Sequence, residues 1–327
     1  MRVLVIGAAG MLGQKLVERL ARDGALGQMP ISSMSLVDIV PTPPVRPCPF
    51  DVDAMQLDVA QPGVARELLA RRPDVIFDLA AVVSGEAEAD LEKGYRVNLD
   101  GTRALFDAVR AVDGEYRPRV VFSSSVAVFG PPFAEVIGDD HPTTPATSYG
   151  TQKAIAELLL SDYTRRGFLD GVGVRLPTIC VRPGKANLAA SGFFSNIIRE
   201  PLHGAQAVLP VGPEVRHWFA SPRSAVQFLV HAATLDSQAL GHQRSLTMPG
   251  VSATVAMQIE ALRRVAGDAA VSLISSQPDE AIARIVDGWP RAFDARRAHG
   301  LGFRAEQDFD QIIHVYIEDE LGGGLNT

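Results

Sequence analysis

The sequence of 327 residues has only two cysteines, Cys48 and Cys180, which lie far apart and form no CxxC pair. This scarcity excludes a disulfide framework and favours a reducing compartment. No apolar run reaches the roughly 18 residues of a membrane-spanning helix. A basic excess is also absent, since 31 Lys and Arg face 38 Asp and Glu. We therefore expect neither a nucleic acid nor a membrane as a partner.

The remaining composition is ordinary for a globular protein, with 46% hydrophobic and 21% charged residues. The chain begins directly with the strand-like run 2–6, which predicts that it has no signal peptide and is cytoplasmic. The seven histidines show neither HxH nor HExxH spacing, so we expect no metal site.

Short apolar runs alternate with longer stretches of helical periodicity through the first half of the chain. The strand-like runs are 2–6, 34–37, 75–79, 119–122 and 173–176, and the helical stretches between them include 64–71, 87–112 and 148–166. Strands that alternate with helices imply right-handed crossovers. The pattern predicts an α/β fold, a doubly wound parallel sheet with a smaller C-terminal lobe.

Two features indicate where this alternation is interrupted. Five prolines between Pro41 and Pro49 predict an extended surface loop. Beyond about residue 178 the pattern loosens into a polar region punctuated by glycines. The predicted domains are one of residues 1–178 plus about 213–250, and a smaller lobe of about 179–212 and 251–327.

A Gly-x-x-Gly-x-x-Gly turn stands directly between the first strand-like run and a helical pattern. A pyrophosphate can approach the N–H groups at a helix N-terminus only where no Cβ intervenes, and the third glycine allows close packing of helix on strand. The pattern therefore predicts a dinucleotide-binding turn. Its predicted cofactor contacts are Gly7, Gly10, Met11, Leu12 and Gly13.

Asp38 ends the second predicted strand, 31 residues after Gly7. A carboxylate at this place accepts hydrogen bonds from both hydroxyls of a ribose and repels a 2′-phosphate. Asp38 has no adjacent arginine that would favour that phosphate. The predicted cofactor is therefore NAD rather than NADP.

Tyr149 and Lys153 lie four residues apart on a predicted helix and so share one face. A phenol with a pKa of about 10 is a poor base at neutral pH, but an ammonium one turn away stabilises the phenolate. This pairing suits general-base catalysis. The run Ser123-Ser124-Ser125 follows a strand, at the sheet edge where α/β proteins bind ligands. A hydroxyl there can hold the substrate oxygen as it becomes a carbonyl.

These motifs together resemble those of the extended short-chain dehydrogenase/reductase family, over nearly the whole chain. The resemblance implies a Rossmann-type fold, in which the first predicted domain binds NAD and the smaller C-terminal lobe is a substrate lobe. It also implies hydride transfer to a nicotinamide, and a homodimer in which the helix of Tyr149 takes part. It makes Ser125, Tyr149 and Lys153 the catalytic residues, with Ser124 as an alternative hydroxyl. Further cofactor contacts that it implies are Asp58, Val59, Leu79, Ala80, Ala81, Asn98, Ser123, Tyr149, Lys153, Pro177 and Thr178.

Two departures from the sugar-nucleotide members of that family bear on the substrate. Those members carry an asparagine just after the sixth strand, where this chain has Pro177-Thr178, and a Tyr-Gly pair where it has Phe129-Gly130. The turn around Ser84 is similar to that of short-chain threonine dehydrogenases, in which a serine touches a small hydroxy acid. The region 182–218 resembles dehydrogenases that oxidise the C2 hydroxyl of D-erythronate, a four-carbon sugar acid, with NAD.

A sugar-acid substrate needs a fixed cation for its carboxylate, and the bidentate fork of arginine suits it. Arg182 and Arg216 are both candidates, whereas the neighbouring His217 is expected to be structural. The predicted substrate contacts are Ser84, Ser124, Ser125, Tyr149, Thr178, Arg182, Asn187, Ser191 and Arg216. Three alternatives stay open: a sugar-nucleotide epimerase or dehydratase with permanently bound NAD, a threonine-dehydrogenase-like enzyme, and a regulator that binds a dinucleotide without chemistry.

Overall fold

The computed structural model describes residues 1–184 and 191–324. The strands in these residues are β1 (Arg2–Ile6), β2 (Ala25–Leu26), β3 (Met29–Pro30), β4 (Ser33–Asp38), β5 (Asp51–Gln56), β6 (Val75–Asp78), β7 (Arg119–Ser125), β8 (Asp170–Leu176), β9 (Thr178–Ile179), β10 (Ala207–Leu209), β11 (Arg216–Ala220), β12 (Ser245–Thr247), β13 (Val251–Thr254) and β14 (Ile274–Ser276).

The helices in the same residues are α1 (Met11–Asp23), α2 (Val64–Leu69), α3 (Ser84–Ala89), α4 (Leu91–Tyr95), α5 (Thr102–Arg110), α6 (Ser148–Arg165), α7 (Gly192–Leu202), α8 (Pro222–Thr234), α9 (Ser237–Leu240), α10 (Val255–Val271), α11 (Glu280–Asp287), α12 (Arg296–Gly300) and α13 (Phe309–Glu320). A π-helical turn occupies Arg96–Gly101, and a 3₁₀ turn occupies Val126–Val128. None of these helices is long and apolar enough to cross a membrane.

The elements group into two compact units. The first unit comprises residues 1–128, 147–176 and 226–247, and the second comprises 129–146, 177–225 and 248–327. The predicted domains assigned 129–146 and 213–225 to the nucleotide-binding half, whereas the structure places both in the second unit. The reason is strand pairing: β11 pairs with β9 and β13, and Ile137 forms a bridge with Phe293.

Seven strands of the first unit form one parallel sheet in the order β12-β8-β7-β6-β1-β4-β5. This topology confirms the predicted α/β, doubly wound fold. The strand order reverses between β1 and β6, which is where ligands bind in open sheets of this kind. Buried strand side chains such as Leu4, Ile76 and Val120 pack with Phe106 of α5 and Leu160 of α6 in one core.

The second unit has its own core and two small sheets, one of order β13-β11-β9 and one in which β10 pairs with β14. Phe194 of α7, Phe219 of β11, Leu262 of α10 and Ile313 of α13 are all buried in that core. This unit holds the C-terminal segments in which the sequence showed no regular alternation.

The predicted helix 87–112 is divided into α3, α4, the π-helical turn and α5. Asp90 causes the first break, because its backbone is non-helical (φ −130°, ψ 89°) and its side chain accepts a hydrogen bond from the N–H of Lys93. A carboxylate at this position caps the next helix. The π-helical turn that follows brings Asn98 into the core, where it is fully buried.

Asp170, at the start of β8, joins three segments of the first unit at the sheet edge opposite the glycine turn. Its carboxylate lies 2.8 Å from Arg119 Nη2 and 2.6 Å from Arg244 Nη2, and the hydroxyl of Ser237 donates to it. The side chains of Arg119 and Arg244 are 14% and 6% exposed. Removal of the carboxylate would leave two positive charges next to each other with little solvent.

We therefore expect Asp170→Ala to lower the free energy of unfolding by about 3 kcal/mol, as for other buried pairs that lose one partner. The exposed pair of Asp53 and Arg71 offers a control, since both side chains are about half exposed. Asp53→Ala should cost less than about 1 kcal/mol. Urea titrations of the two variants would measure both changes, and equal losses would contradict the structural role of Asp170.

Candidate active site

The glycine turn is shaped by two close backbone approaches. Gly7 has φ +84°, and a Cβ there would lie 2.6 Å from the backbone N of Ala80 in the turn after β6. A Cβ on Gly13 would overlap the carbonyl oxygen of Gly7 and lie 2.8 Å from the Cα of Ala8. Both positions therefore require glycine, and they hold β1, α1 and the turn after β6 together.

Gly10 differs from the other two glycines because it is exposed and its Cβ would come no closer than 3.4 Å to another atom. It precedes α1, and no side chain of the described residues caps that helix. The N–H groups of the first turn, which includes the half-buried Met11 and Leu12, lack intrahelical acceptors. The turn fits the approach of a phosphate group.

Asp38 lies beside this turn at the end of β4. Its Oδ2 accepts a hydrogen bond of 2.9 Å from the backbone N of Ala9, and its Oδ1 accepts one of 3.3 Å from Val40. The carboxylate is therefore fixed next to the glycine turn while the residue stays partly exposed. A ribose attached to a phosphate on the turn fits this arrangement, because a carboxylate accepts from both of its hydroxyls.

Asp58 follows β5, and its carboxylate is held by a backbone N–H and an arginine. Its carboxylate accepts hydrogen bonds from the backbone N of Ala60 and from Arg96 Nη1, at 2.9 and 2.7 Å. Partial burial raises the pKa of Asp58, but these hydrogen bonds and the charge of Arg96 outweigh it and lower the pKa overall. The neighbouring Val59 packs against the core of the first unit.

Tyr149 and Lys153 lie one turn apart near the start of α6, as predicted. Thr147 begins this helix by accepting a hydrogen bond of 3.1 Å from the backbone N of Gly150. The Nζ of Lys153 lies 5.8 Å from the ring centroid of Tyr149 and 4.7 Å from that of Phe122 in β7. A buried cation thus lies between two aromatic rings, one of which carries the candidate base.

Burial controls the ionisation of this lysine. It lowers the pKa of Lys153 to about 8, although the charges of Asp78 and Glu157 favour the ammonium. Burial likewise raises the pKa of Asp78 to about 6, against the charge of Lys153 and a hydrogen bond from Thr102. A lysine with a pKa of about 8 changes its charge close to physiological pH, so it can influence proton transfer at the neighbouring Tyr149.

The three serines at the end of β7 have different surroundings. Ser125 is partly exposed, and its Oγ accepts a hydrogen bond of 3.1 Å from the backbone N of Ala127. Ser124 is buried and donates to Glu157 Oε1 at 2.5 Å, so the structure does not support the prediction that it contacts the substrate. Ser123 is buried and donates to the carbonyl of Asp78. The candidate catalytic hydroxyl is therefore Ser125.

Asn98 joins the turn after β6 to α6. Its Oδ1 accepts from the backbone N of Val82, and its Nδ2 donates to the carbonyl of Val82 and to Gln152 Oε1 at 2.7 Å. Gln152 is the immediate neighbour of Lys153 on α6. All of these contacts are with protein groups, and contact of Asn98 with a cofactor stays a prediction. Leu79, Ala80 and Ala81, in the turn just before Val82, are partly exposed.

Thr178 in the second unit is oriented by His217. The ring Nδ1 of His217 lies 3.0 Å from the carbonyl of Pro290, which can only accept, so Nδ1 carries the proton and Nε2 accepts from the hydroxyl of Thr178 at 2.6 Å. Burial lowers the pKa of His217 to about 4, which keeps the ring neutral. His217 therefore has the structural role expected for it. Pro177, just before Thr178, is buried.

The two candidate arginines differ in their surroundings. Arg182 is partly buried, and its guanidinium donates to the carbonyl of Ile179 at 3.0 Å and to Ser191 Oγ at 3.4 Å. Arg216 is exposed and donates to the backbone and side-chain oxygens of Ser252, each at 3.3 Å. The structure thus brings Arg182 and Ser191 together. Ser84 begins α3 in the first unit, and Asn187 lies outside the described residues.

Sequence reasoning missed three charged side chains of the first unit. Asp78 and Glu157 are buried, and Arg175 is nearly so. A signal was present for Glu157, because it follows Lys153 by four residues on the helical face that bears Tyr149. For Asp78 the signal was an acidic residue in the otherwise apolar run 75–79. A charged residue at a core position is seldom there without a partner.

Comparison with known proteins identifies similar chains over the full length. The profile of the NAD dependent epimerase/dehydratase family matches residues 3–237. A D-erythronate dehydrogenase of Cupriavidus necator is 47% identical over 98% of this chain and 98% of its own. A D-erythronate dehydrogenase of Haemophilus influenzae is 41% identical over 98% of this chain and 100% of its own.

Two solved structures are also similar. A nucleoside-diphosphate-sugar epimerase from Agrobacterium tumefaciens has a TM-score of 0.98 and 59% identity, over 100% of this chain and 96% of that one. An L-threonine 3-dehydrogenase from Trypanosoma brucei has a TM-score of 0.84 over 97% of this chain and 96% of that one. Its identity of 22% shows a shared fold alone.

Proposed function

The chain belongs to the NAD dependent epimerase/dehydratase family, and from this premise we propose that it oxidises the C2 hydroxyl of a small sugar acid with NAD, D-erythronate being the first choice. Similarity over the full length to two dehydrogenases of that acid supports the substrate. The observation on which the chemistry depends is the arrangement of Tyr149 and Lys153, in which a buried ammonium lies one turn from a phenol.

In the proposed reaction, the phenolic oxygen of Tyr149 takes the proton of the substrate hydroxyl. Lys153 stabilises the phenolate, and the hydroxyl of Ser125 holds the substrate oxygen as it becomes a carbonyl. Bound NAD supplies the acceptor for the hydride. The low pKa of Lys153, near 8, limits this arrangement to pH values at which the ammonium persists.

The family implies a nicotinamide cofactor, and we assign its phosphates to the glycine turn and the N-terminus of α1. Asp38 would receive the ribose hydroxyls and reject a 2′-phosphate, which favours NAD over NADP. Further predicted contacts are Asp58, Val59, Leu79, Ala80, Ala81, Ser123, Pro177 and Thr178.

For the substrate carboxylate we prefer Arg182 to Arg216. The guanidinium of Arg182 is partly buried and fixed by Ile179 and Ser191, so less side-chain entropy is lost when it binds an anion. Arg216 is exposed and interacts with Ser252. Ser84, Thr178, Asn187 and Ser191 remain predicted partners of the substrate hydroxyls.

A second candidate is a sugar-nucleotide epimerase, which the similarity to the Agrobacterium tumefaciens protein favours. Against it, Pro177-Thr178 stands where sugar-nucleotide members carry a pyrophosphate-binding asparagine. The hydroxyl of Thr178 also donates to His217, and this contact reduces its capacity to bind a phosphate.

One panel of assays separates the two candidates. The purified protein is incubated with stereoisomeric four-carbon sugar acids, threonine and a nucleotide sugar, each with NAD or NADP. We expect formation of NADH with D-erythronate to exceed that with every other compound, and NADP to be reduced more slowly. Epimerisation of the nucleotide sugar, with NAD released only on denaturation, would instead identify the epimerase.

We further propose a homodimer in which α6, the helix of Tyr149, takes part. Leu158 on α6 is 70% exposed, and a second copy packed against this helix would cover it. The predicted location of the enzyme is the cytoplasm, which agrees with its two free cysteines.

A further inference from the structure

Glu157 lies on the same face of α6 as the proposed catalytic pair, one turn after Lys153 and two turns after Tyr149. It is 5% exposed. A carboxylate is costly to bury, so its retention there requires strong partners. The mechanism proposed above gives this residue no part.

The partners of Glu157 come from two neighbouring strands. Arg175 of β8 donates from Nε to Oε1 and Oε2 at 2.9 and 3.1 Å, and from Nη2 to Oε2 at 2.7 Å. Ser124 of β7 donates to Oε1 at 2.5 Å. The side chains of Glu157 and Arg175 are 6% and 12% exposed. Bidentate geometry and a third donor make this a well-satisfied buried ion pair.

These contacts connect the two parts of the proposed catalytic set. Ser124 immediately precedes Ser125, the candidate hydroxyl at the end of β7, whereas Glu157 shares α6 with Tyr149 and Lys153. The hydrogen bond between Ser124 and Glu157 therefore joins the end of the strand to the catalytic helix. Relative displacement of these elements by about 1 Å would weaken catalysis strongly.

Glu157 also contributes to the field at the lysine. The charged groups that act on Lys153 are Asp78 of β6 and Glu157 of its own helix, and both favour the ammonium. Arg175 of β8 lies against Glu157 and offsets part of its charge. A neutral side chain at position 157 would remove a negative charge that favours the ammonium of Lys153 and would make that ammonium less stable.

We propose that Glu157 is a positioning residue for the dehydrogenation, which holds Ser125 in register with Tyr149 through Ser124. The inference rests on the proposed function, because it assumes that these three residues carry the reaction. Arg175 has the supporting role of holding the carboxylate of Glu157 in place.

The test compares the pH dependence of kcat for the wild type, Glu157→Gln and Ser124→Ala. For Glu157→Gln we expect a loss in kcat of about tenfold at pH 7, with the KM for NAD little changed. In the pH profile of this variant, the fall of kcat at high pH should begin about half a pH unit lower than in the wild type. The reason is that loss of the negative charge at position 157 lowers the pKa of Lys153 further. Ser124→Ala should lower kcat severalfold and leave the alkaline limb in place.

Asp170→Asn is the matched control, since it weakens another buried ion pair of the same unit on the opposite sheet edge. It should lower stability but leave the pH profile as in the wild type. A profile of Glu157→Gln that superimposes on the wild type, or the same shift in Asp170→Asn, would overturn the inference. If Glu157→Gln does not fold, the kcat of Ser124→Ala decides the question. A kcat of Ser124→Ala equal to that of the wild type overturns the inference. A wild type inactive on every sugar acid refutes the proposed function instead.

Discussion

Replacement of Tyr149 by phenylalanine should lower kcat for the sugar acid by about a thousandfold, because it removes the group that accepts the substrate proton. The ring itself remains, so the packing beside Lys153 is retained. Binding of NAD should therefore stay close to that of the wild type. Steady-state turnover and a fluorescence titration with NADH would measure the two quantities separately.

Tyr163 on the same helix provides a matched control for the loss of a phenolic hydroxyl. Its hydroxyl donates to Asp107 at 2.6 Å, at a distance of fourteen residues along α6 from Tyr149. Tyr163→Phe should keep nearly full turnover. If Tyr149→Phe retained more than about a tenth of the wild-type kcat, the proposed role of Tyr149 would be wrong.

Replacement of Gly13 by alanine should abolish binding of NAD and destabilise the first unit. The added methyl group would meet backbone atoms of Gly7 and Ala8, which cannot move without separating α1 from β1. We expect a loss of about 3 kcal/mol or more in the free energy of unfolding. Urea unfolding and calorimetric titration with NAD would measure both effects.

Replacement of Gly10 by alanine should weaken the binding of NAD but leave the stability of the fold nearly unchanged. The backbone of Gly10 (φ −67°, ψ 160°) suits any residue, and the nearest atom to the added methyl group would be the carbonyl oxygen of Gly7 at 3.4 Å. Stability should change by less than about 0.5 kcal/mol, while the affinity for NAD falls at least about tenfold because the methyl group blocks the pyrophosphate. Gly300→Ala, at an open position of α12, should change neither quantity. Wild-type affinity in Gly10→Ala would refute the assignment of the pyrophosphate to this turn.

The parts of the fold that could be predicted from sequence are those encoded locally. The apolar run 2–6 followed by glycines predicts strand, turn and helix, because both the period of the pattern and the backbone freedom of glycine are properties of neighbouring residues. The spacing of Tyr149 and Lys153 likewise fixes their shared face on α6. The alternation of such segments was enough to predict the parallel sheet.

The parts that could not be predicted depend on contacts between distant segments. The strand β5 is half polar, with Asp51 and Asp53 in alternate positions, and is defined by its pairing with β4. The division of the helix around Asn98 results from buried bonds to Val82 and Gln152, sixteen and fifty-four residues away. The choice of Ser125 over Ser124 needed the contact with Glu157, which no local pattern contains.

The two outer strands of the seven-stranded sheet, β5 and β12, bear on the solubility of the enzyme. Unpaired N–H and C=O groups at a sheet edge can template pairing with another molecule. Here β12 has only three residues, and β5 carries Asp51 and Asp53, the latter in an ion pair with Arg71. Short length at one margin and negative charge at the other discourage pairing of this sheet with the edge of another molecule.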